Sequence, residues 1–228
     1  DTFEKNDTPP ANVVEENLDT TDVFARDFFA RYLEVKRESP EGISPSDRDA
    51  LIEATLKNQK VATSYDLSSA SDVTVSTHES KENILAYGRA MGEIIIKNSP
   101  QPPENELDIL EYALTLDDET GEKELRKLTA KAEGYRNMAR ESIALSVPQS
   151  AAALHRAVVN SYEKMAVNIA GMGQMYHNPL MALQHFNEYY KNLFELADAF
   201  RNVKRFFSGR NISFSEADSG YVFVESGI

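Results

Sequence analysis

Apolar residues recur every three or four positions over long stretches of this 228-residue chain, and this spacing constrains the fold more than any other feature. The clearest example starts at Asn178 and Pro179, a capping residue followed by a first-turn proline, and continues to about Phe207. One side of this predicted helix carries an apolar seam, made of Leu183, Phe186, Tyr190, Leu193, Ala197 and Phe200. Such a seam is typical of a helix that packs in a bundle.

The same spacing and the same kinds of start signal predict the other helices. They are expected at about residues 22–37, 44–60, 82–98, 103–116, 121–145 and 148–177. Strand signals are almost missing between them, and the connections are short and contain proline. We therefore predict an all-α fold, a multi-helix bundle of six to seven helices in which the three longest form the backbone.

The two ends of the chain depart from the helical pattern. Residues 1–19 are acidic, contain Pro9 and Pro10 and have few large apolar residues, which predicts a disordered lead-in or tether. Residues 210–228 include short alternations of apolar and polar residues, which predict a tail or a small C-terminal β-hairpin. The helical domain is expected to span residues 20–209.

Three local patterns in the middle of the chain carry structural predictions. Ser76 and Glu79 form a capping-box pattern for the helix that follows them. On that helix Gly88 and Gly92 lie four residues apart, a spacing that lets a neighbouring backbone approach closely. The acidic residues within 117–121 precede a threonine and a glycine, and we interpret them as a solvated turn.

The charge balance and the lack of cysteine exclude several classes of function. The chain has 24 Lys and Arg against 37 Asp and Glu, and the resulting net charge of −13 repels nucleic-acid backbones and anionic lipid surfaces. Nucleic acid is therefore not an expected partner. Because there is no cysteine, disulfides, thiolate metal sites and cysteine nucleophiles are excluded. No apolar run approaches the roughly 20 residues of a membrane span, so a membrane is expected only through a segment upstream of Asp1.

His177 and His185 lie near Met175 and Met181, a composition that suggests a metal or haem pocket. A helix break at Asn178 falls between the two histidines, so they belong to different predicted helices and share no defined geometry. No histidine follows a glutamate by three residues, and no His-Glu-x-x-His spacing is present, although carboxylate-bridged and zinc-protease sites need these patterns. We therefore predict no metal site and no cofactor.

His155 is the most informative histidine. It shares a helical stripe with Tyr162 and apolar residues, so we expect it at the edge of the core. A buried histidine can bind a ligand, although it is more often hydrogen-bonded to a neighbour. His155, Tyr162 and Met165 are therefore the candidate lining of a small-ligand pocket between the long helices. Ser161 and Lys164 match the Ser-x-x-Lys motif of penicillin-recognising enzymes, but the companion motifs are missing, which favours a chance match.

One long stretch resembles a loose group of uncharacterised helical exported proteins predicted in bacteria with very small genomes. The stretch is VPQSAAALHRAVVNSYEKMAVNIAGMGQMYHNPLMALQHFNEYYKNL, with AYGRAMGEII upstream. The shared features are a helix with histidine and asparagine, a break before Pro-Leu and an aromatic helix, over about residues 80–207. The resemblance implies a domain outside the cytoplasm, tethered to a membrane upstream of Asp1, and it implies no activity.

Three hypotheses of function follow from these patterns. The first is a non-enzymatic, extracytoplasmic scaffold or protein-binding module of a bacterial cell envelope, which binds a protein partner through an acidic helix face or the Ser-rich residues 65–77. The alternative is a sensor or carrier that holds a small ligand or metal within the helices. A hydrolase that uses Ser161 and Lys164 is the third. The sequence defines neither the ligand nor the partner nor the oligomeric state.

Overall fold

Helices make up most of the chain. The computed structural model describes residues 23, 27–32, 44, 46, 50, 65, 72–99 and 103–225. Helical residues account for 76% of the described residues, which confirms the prediction of a mostly α-helical fold. The predicted lead-in at residues 1–19 lies outside the described residues, and so does most of the first two predicted helices.

The elements follow one another in a simple order along the chain. They are β1 (Thr74–Ser76), α1 (Lys81–Asn98), α2 (Glu106–Ala113), α3 (Asp118–Ile143), β2 (Ser146–Pro148), α4 (Ala152–Met172), α5 (Pro179–Ser208) and α6 (Val222–Glu225). Short 3-10 turns at Gln149–Ala151 and Ser219–Tyr221 lead into α4 and α6. Residues 27–32 are also helical, and their aromatic side chains pack against Phe186 of α5.

The core is organised around α4, which packs against α3 on one side and α5 on the other. Its core-facing side is fully buried along most of its length, as shown by Val158, Val159, Met165, Ile169 and Met172. α1 and α2 add to this arrangement by packing against α3. None of the helices in the described part of the chain combines the length and the apolar character that a membrane crossing requires.

Two of the long helices begin at a side-chain cap. At the start of α5, Asn178 Oδ1 accepts the Met181 N–H at 3.1 Å, and Pro179 occupies the first turn as predicted. At the start of α3, Asp117 Oδ1 accepts the Thr120 N–H at 3.0 Å. The interpretation of this acidic stretch as a solvated turn was therefore wrong. Its acids form the first turn of α3, where the helix dipole favours negative charge.

The capping box predicted at Ser76 and Glu79 was also wrong. α1 begins instead at Ser80, whose Oγ accepts the Asn83 N–H at 3.2 Å. Ser76 belongs to β1, which pairs in parallel with β2. Glu79 points across to Ser150, in the turn that leads into α4. Both residues therefore make contacts about 70 residues away along the chain, which a local capping pattern does not reveal.

The contact between Glu79 and Ser150 gives α4 the cap that its own sequence lacks. Neither the 3-10 turn before α4 nor α4 itself has a side-chain cap from its own first residue. The Glu79 carboxylate accepts the Ser150 N–H at 2.8 Å and the Ser150 hydroxyl at 2.5 Å. These hydrogen bonds hold the pKa of Glu79 below its usual value. A carboxylate from the α1 side thus satisfies donors in the turn that leads into α4.

The C-terminal segment does not form the predicted β-hairpin within its described residues. Asn211 adopts a positive φ of 54° after α5, and the chain then runs through an irregular stretch into a 3-10 turn and α6. Ile212, Phe214 and Phe223 are buried in the same hydrophobic core as the long helices. The alternation of apolar residues is therefore explained by burial of Ile212 and Phe214 from the irregular stretch and of Phe223 from α6, without a partner strand among the described residues.

The C-terminal segment packs against the two glycines of α1. A methyl group at Gly88 would lie 2.3 Å from the Phe214 ring, and one at Gly92 would lie 2.1 Å from the backbone oxygen of Ser219. The hydroxyl of Ser219 donates to the Arg89 carbonyl at 2.7 Å, which joins the two segments further. The close approach predicted from the four-residue spacing is confirmed, and the partner is the C-terminal segment.

The close approach at Gly92 leads to a stability prediction. Because the obstacle at Gly92 is the Ser219 backbone, we expect Gly92→Ala to lower the free energy of unfolding by about 1–3 kcal/mol, although alanine favours helix. Urea unfolding followed by circular dichroism measures this change. The control is Glu93→Ala at the next, exposed position, which we expect to change stability by no more than about 0.5 kcal/mol. Equal stability of the two variants would contradict the close approach.

Candidate functional site

His155 is fully buried on α4 and bonded at both ring nitrogens. Its Nδ1 lies 3.1 Å from the Tyr87 hydroxyl on α1, and its Nε2 lies 3.1 Å from the Ser142 carbonyl oxygen on α3. Because a carbonyl only accepts, Nε2 carries the proton and Nδ1 accepts from the tyrosine. Burial lowers the pKa of His155 to about 4, so the imidazole is neutral at pH 7.

Tyr162 and Met165, the other two candidates, also lie inside the core. The Tyr162 ring lies 6.2 Å from the Tyr135 ring and 6.3 Å from the Phe200 ring, measured between centroids. No group in the described part of the chain hydrogen-bonds the Tyr162 hydroxyl, and burial raises its pKa. The structure therefore places both residues on α4 as predicted, within the core. Their role in binding a ligand stays a prediction.

The Ser-x-x-Lys match does not form a catalytic pair in this structure. Ser161 Oγ donates to the Ala157 carbonyl oxygen one turn earlier in α4, at 2.9 Å. Lys164 Nζ lies 2.6 Å from Glu195 Oε2 on α5. The hydroxyl and the ammonium each have a separate partner, so the serine has no contact that would activate it as a nucleophile.

His177 and His185 lie in different surroundings. His177 follows the end of α4, is 61% exposed, and approaches Glu122 of α3 at 3.4 Å. His185 is buried on α5, and its Nδ1 lies 3.1 Å from Asn168 Oδ1 on α4. Across the residues that the structure describes, no three His, Cys, Asp or Glu side chains form a group that could hold a metal ion.

Four polar side chains meet where α4 faces α5, and we call them the polar cluster: Tyr65, Asn168, His185 and Asn192. Asn168 and Asn192 are 0% and 1% exposed. Asn192 Nδ2 donates to the Tyr65 hydroxyl oxygen at 3.1 Å, and the same hydroxyl donates to Asn168 Oδ1 at 3.2 Å. Asn168 Oδ1 also accepts from His185 Nδ1. The tyrosine oxygen is thus held between two amides, one that donates and one that accepts.

The neutral form of His185 fits this arrangement. Because Asn168 Oδ1 only accepts, the proton of the neutral imidazole lies on Nδ1. Burial lowers the pKa of His185, while the Glu188 carboxylate acts in the opposite direction. The ring lies directly against Gly171 of α4, where a methyl group would come within 2.0 Å of its Cδ2. Glycine is therefore needed at this position for the imidazole to approach α4.

The polar cluster has one donor that remains unused. No acceptor in the described part of the chain lies within hydrogen-bonding distance of Asn168 Nδ2, although this residue is fully buried. Such a buried, unpaired group costs about 1–3 kcal/mol of stability. Groups of this kind are rare in folded proteins and call for an explanation, such as a bound water or ligand.

A second group of buried polar residues lies where α2 meets α3 and α5. Lys131 Nζ lies 3.8 Å from Glu106 Oε1, with side chains that are 8% and 13% exposed. Tyr189 donates its hydroxyl proton to Glu106 Oε2 at 3.2 Å, and burial raises the pKa of this tyrosine. The three residues come from three helices. Their arrangement fixes α2 against its neighbours, because each buried charge has a partner.

The sequence contained part of the signal for the polar cluster. His185 and Asn192 lie on the same side of the predicted helix, away from its apolar seam, and the structure brings both into the polar cluster. The burial of that side was not predicted. Asn168 within the apolar stretch from Met165 to Met172 was a further signal, since a buried amide needs partners. Tyr65 gave none, because it meets Asn168 across 103 residues of chain.

Comparison with known proteins does not identify a relative. No family model, curated protein or solved structure matches this chain. The resemblance to exported helical bacterial proteins, and the placement that it implies, therefore stay predictions. The geometry of the described residues is the basis for any proposal about function.

The buried imidazole of His155 leads to a prediction about pH. Since its pKa falls from 6.5 in the unfolded chain to about 4 in the folded protein, the unfolded state binds the proton more readily. The contribution of His155 to the free energy of unfolding is fully present above pH 6.5. It decreases by about 3 kcal/mol as the pH falls toward 4. We expect His155→Gln to lose this part of the pH dependence in urea unfolding.

The matched control for this experiment is His78→Gln, because His78 is exposed and lies before α1. We expect this variant to retain the pH dependence of the unmodified protein. If His155→Gln and the unmodified protein lose stability equally between pH 6.5 and 4, the buried neutral imidazole does not cause the pH dependence of the free energy of unfolding.

Proposed function

We propose that this chain is a non-enzymatic helical scaffold or protein-binding module, folded as a multi-helix bundle and placed outside the cytoplasm in a bacterial cell envelope. The observation that carries the proposal is that the candidate side chains of the types used in catalysis all contact other groups of the protein. His155 is bonded at both nitrogens, Ser161 donates to its own helix, and Lys164 is paired with Glu195. Groups held in this way stabilise the fold and are not free to react with a substrate.

A protein partner fits the surface chemistry of the chain better than a nucleic acid does. The net charge of −13 disfavours polyanions, whereas a basic or neutral protein surface is compatible with it. Within the Ser-rich residues 65–77, strand β1 lies at the surface, with Thr74 exposed and Val75 40% exposed. The proposed contact with a protein therefore includes β1, and any contact with a membrane is through a segment upstream of Asp1.

The placement and the partner can be tested together in the organism that encodes the chain. We expect the tagged full-length protein to fractionate with the cell envelope and to crosslink to a protein partner there. Val75→Glu should reduce this crosslink at least several-fold, because it places a charge on the proposed surface. The control is Val224→Glu on α6, which changes an equally exposed valine elsewhere. A strictly cytosolic protein, or equal crosslinking of both variants, would contradict the proposal.

A second candidate function is a sensor or carrier that binds a small ligand or metal between the long helices. The observation that favours it is the buried Tyr162 hydroxyl, which has no hydrogen-bond partner among the described residues. A ligand bound near His155, Tyr162 and Met165 would supply that partner. The region is buried, so binding there would require the helices to separate slightly or a ligand to be enclosed during folding.

Thermal unfolding tests this second function directly. A ligand of the folded state must raise the melting temperature by mass action, by an amount that increases with its concentration. We expect haem, copper, zinc or a member of a metabolite panel to raise the melting temperature, and Tyr162→Phe to weaken that response. Met138→Leu, a change at another buried methionine of the core, serves as the control. The absence of any response would exclude these ligands and count against a carrier.

A further inference from the structure

We infer that α4 and α5 form a binding site for a phenolic group, and that Tyr65 occupies this site in the present structure. We call the site the phenol socket and define it by Asn168, Asn192 and Lys164. None of these three residues belongs to β1 or to the candidate lining His155, Tyr162 and Met165, so the inference does not depend on either function proposed above.

The socket offers a hydrogen-bond donor and a hydrogen-bond acceptor to the hydroxyl group of a phenol. Asn192 Nδ2 donates to the Tyr65 oxygen at 3.1 Å, and Asn168 Oδ1 accepts its proton at 3.2 Å. A phenol hydroxyl is one donor and one acceptor, so both partners are used. A group of the same shape without the hydroxyl would leave the buried Asn192 Nδ2 without this acceptor and would remove one of the two hydrogen bonds to Asn168 Oδ1, which is unfavourable.

The socket also recognises the ring to which the hydroxyl is attached. Lys164 Nζ lies 6.0 Å from the centroid of the Tyr65 ring, within the range of a cation–π interaction. Its ion pair with Glu195, at 2.6 Å, holds the ammonium in place between α4 and α5. The cation favours an aromatic ring over an aliphatic alcohol. The hydroxyl and the ring together define a phenol.

The walls of the socket are held by contacts that do not involve Tyr65. Asn168 and Asn192 lie on helices that pack closely against each other, and both are buried. His185 donates to Asn168 Oδ1 and keeps the amide in position. Tyr65 is only half-buried and reaches the socket from 103 residues before Asn168. Removal of its side chain should therefore leave the socket formed and empty.

The unused Asn168 Nδ2 indicates that Tyr65 does not exhaust the binding capacity of the socket. This donor belongs to the amide that accepts the phenol proton, and no acceptor in the described part of the chain reaches it. A phenol from outside the chain therefore finds every group that Tyr65 uses and one further donor. The source of the phenol can be a small molecule or the tyrosine of another protein, and the chemistry recognised is the same.

Chemical rescue tests the socket. We expect p-cresol, which is the tyrosine side chain without its backbone, to bind Tyr65→Ala and to raise its melting temperature with increasing concentration. Toluene has the same ring and methyl group but no hydroxyl. We expect its dissociation constant, measured by calorimetry, to be about tenfold higher, the factor that corresponds to about one hydrogen bond. The unmodified protein should not respond, because Tyr65 fills the socket.

Two further variants assign the binding to the socket. Tyr65→Phe keeps the ring in place, so it should not bind p-cresol. Adding Asn192→Leu to Tyr65→Ala should abolish the preference for p-cresol over toluene, because the donor to the phenol oxygen is gone. Circular dichroism confirms that each variant is folded, and Tyr65→Ser repeats the test if Tyr65→Ala is not. A folded Tyr65→Ala or Tyr65→Ser that binds neither compound, or binds both equally, overturns the inference.

N-acetyltyrosinamide distinguishes the two sources of the phenol. If it binds Tyr65→Ala as tightly as p-cresol, the socket admits a tyrosine with its backbone, and the inference holds for the tyrosine of a partner protein. If only p-cresol binds, the inference holds for small phenols. Each result supports a phenol socket and names the class of ligand that enters it.

Discussion

The enclosure of α4 between α3 and α5 is the constraint on which the rest of the structure depends. On a helix buried on several sides, each polar side chain that lacks a partner in the core lowers the stability of the fold. His155 therefore requires Tyr87 and Ser142 from α1 and α3, and Asn168 requires His185 from α5. These contacts give each neighbouring helix a fixed place relative to α4.

The polar side chains of α4 differ in how many of their hydrogen-bonding groups have a partner. This difference distinguishes a residue that stabilises the fold from one that could also contact a ligand. His155 has a partner from the protein at each nitrogen, and its neutral form suits a helix contact that does not change at neutral pH. Asn168 keeps an unused donor and contacts a tyrosine that is distant along the chain. A buried polar group that the described residues do not fully use is the more suitable place for a ligand.

The sequence was sufficient to predict helices whose signals are local, and insufficient for contacts between distant residues. The start of α5 at Asn178 was confirmed because its cap and first turn are adjacent along the chain. Ser76 and Glu79 had a local pattern too, yet pairing with β2 and bonding to Ser150 decided their roles. For the candidate site, the sequence predicted His155 at the edge of the core, whereas the structure buries it fully, and Tyr65 and its partners share no local pattern.

The packing of the C-terminal segment on α1 affects how the chain can assemble during synthesis. Gly88 and Gly92 contact Phe214 and Ser219, which are more than 120 residues further along the chain. At typical elongation rates these residues are synthesised about 6 to 25 seconds later. During that interval this side of α1 stays uncovered. The glycines at its centre expose backbone, and apolar residues such as Ile84 and Ile95 flank them at helical spacing. Until the C-terminal segment covers it, this side of α1 can therefore associate with other chains.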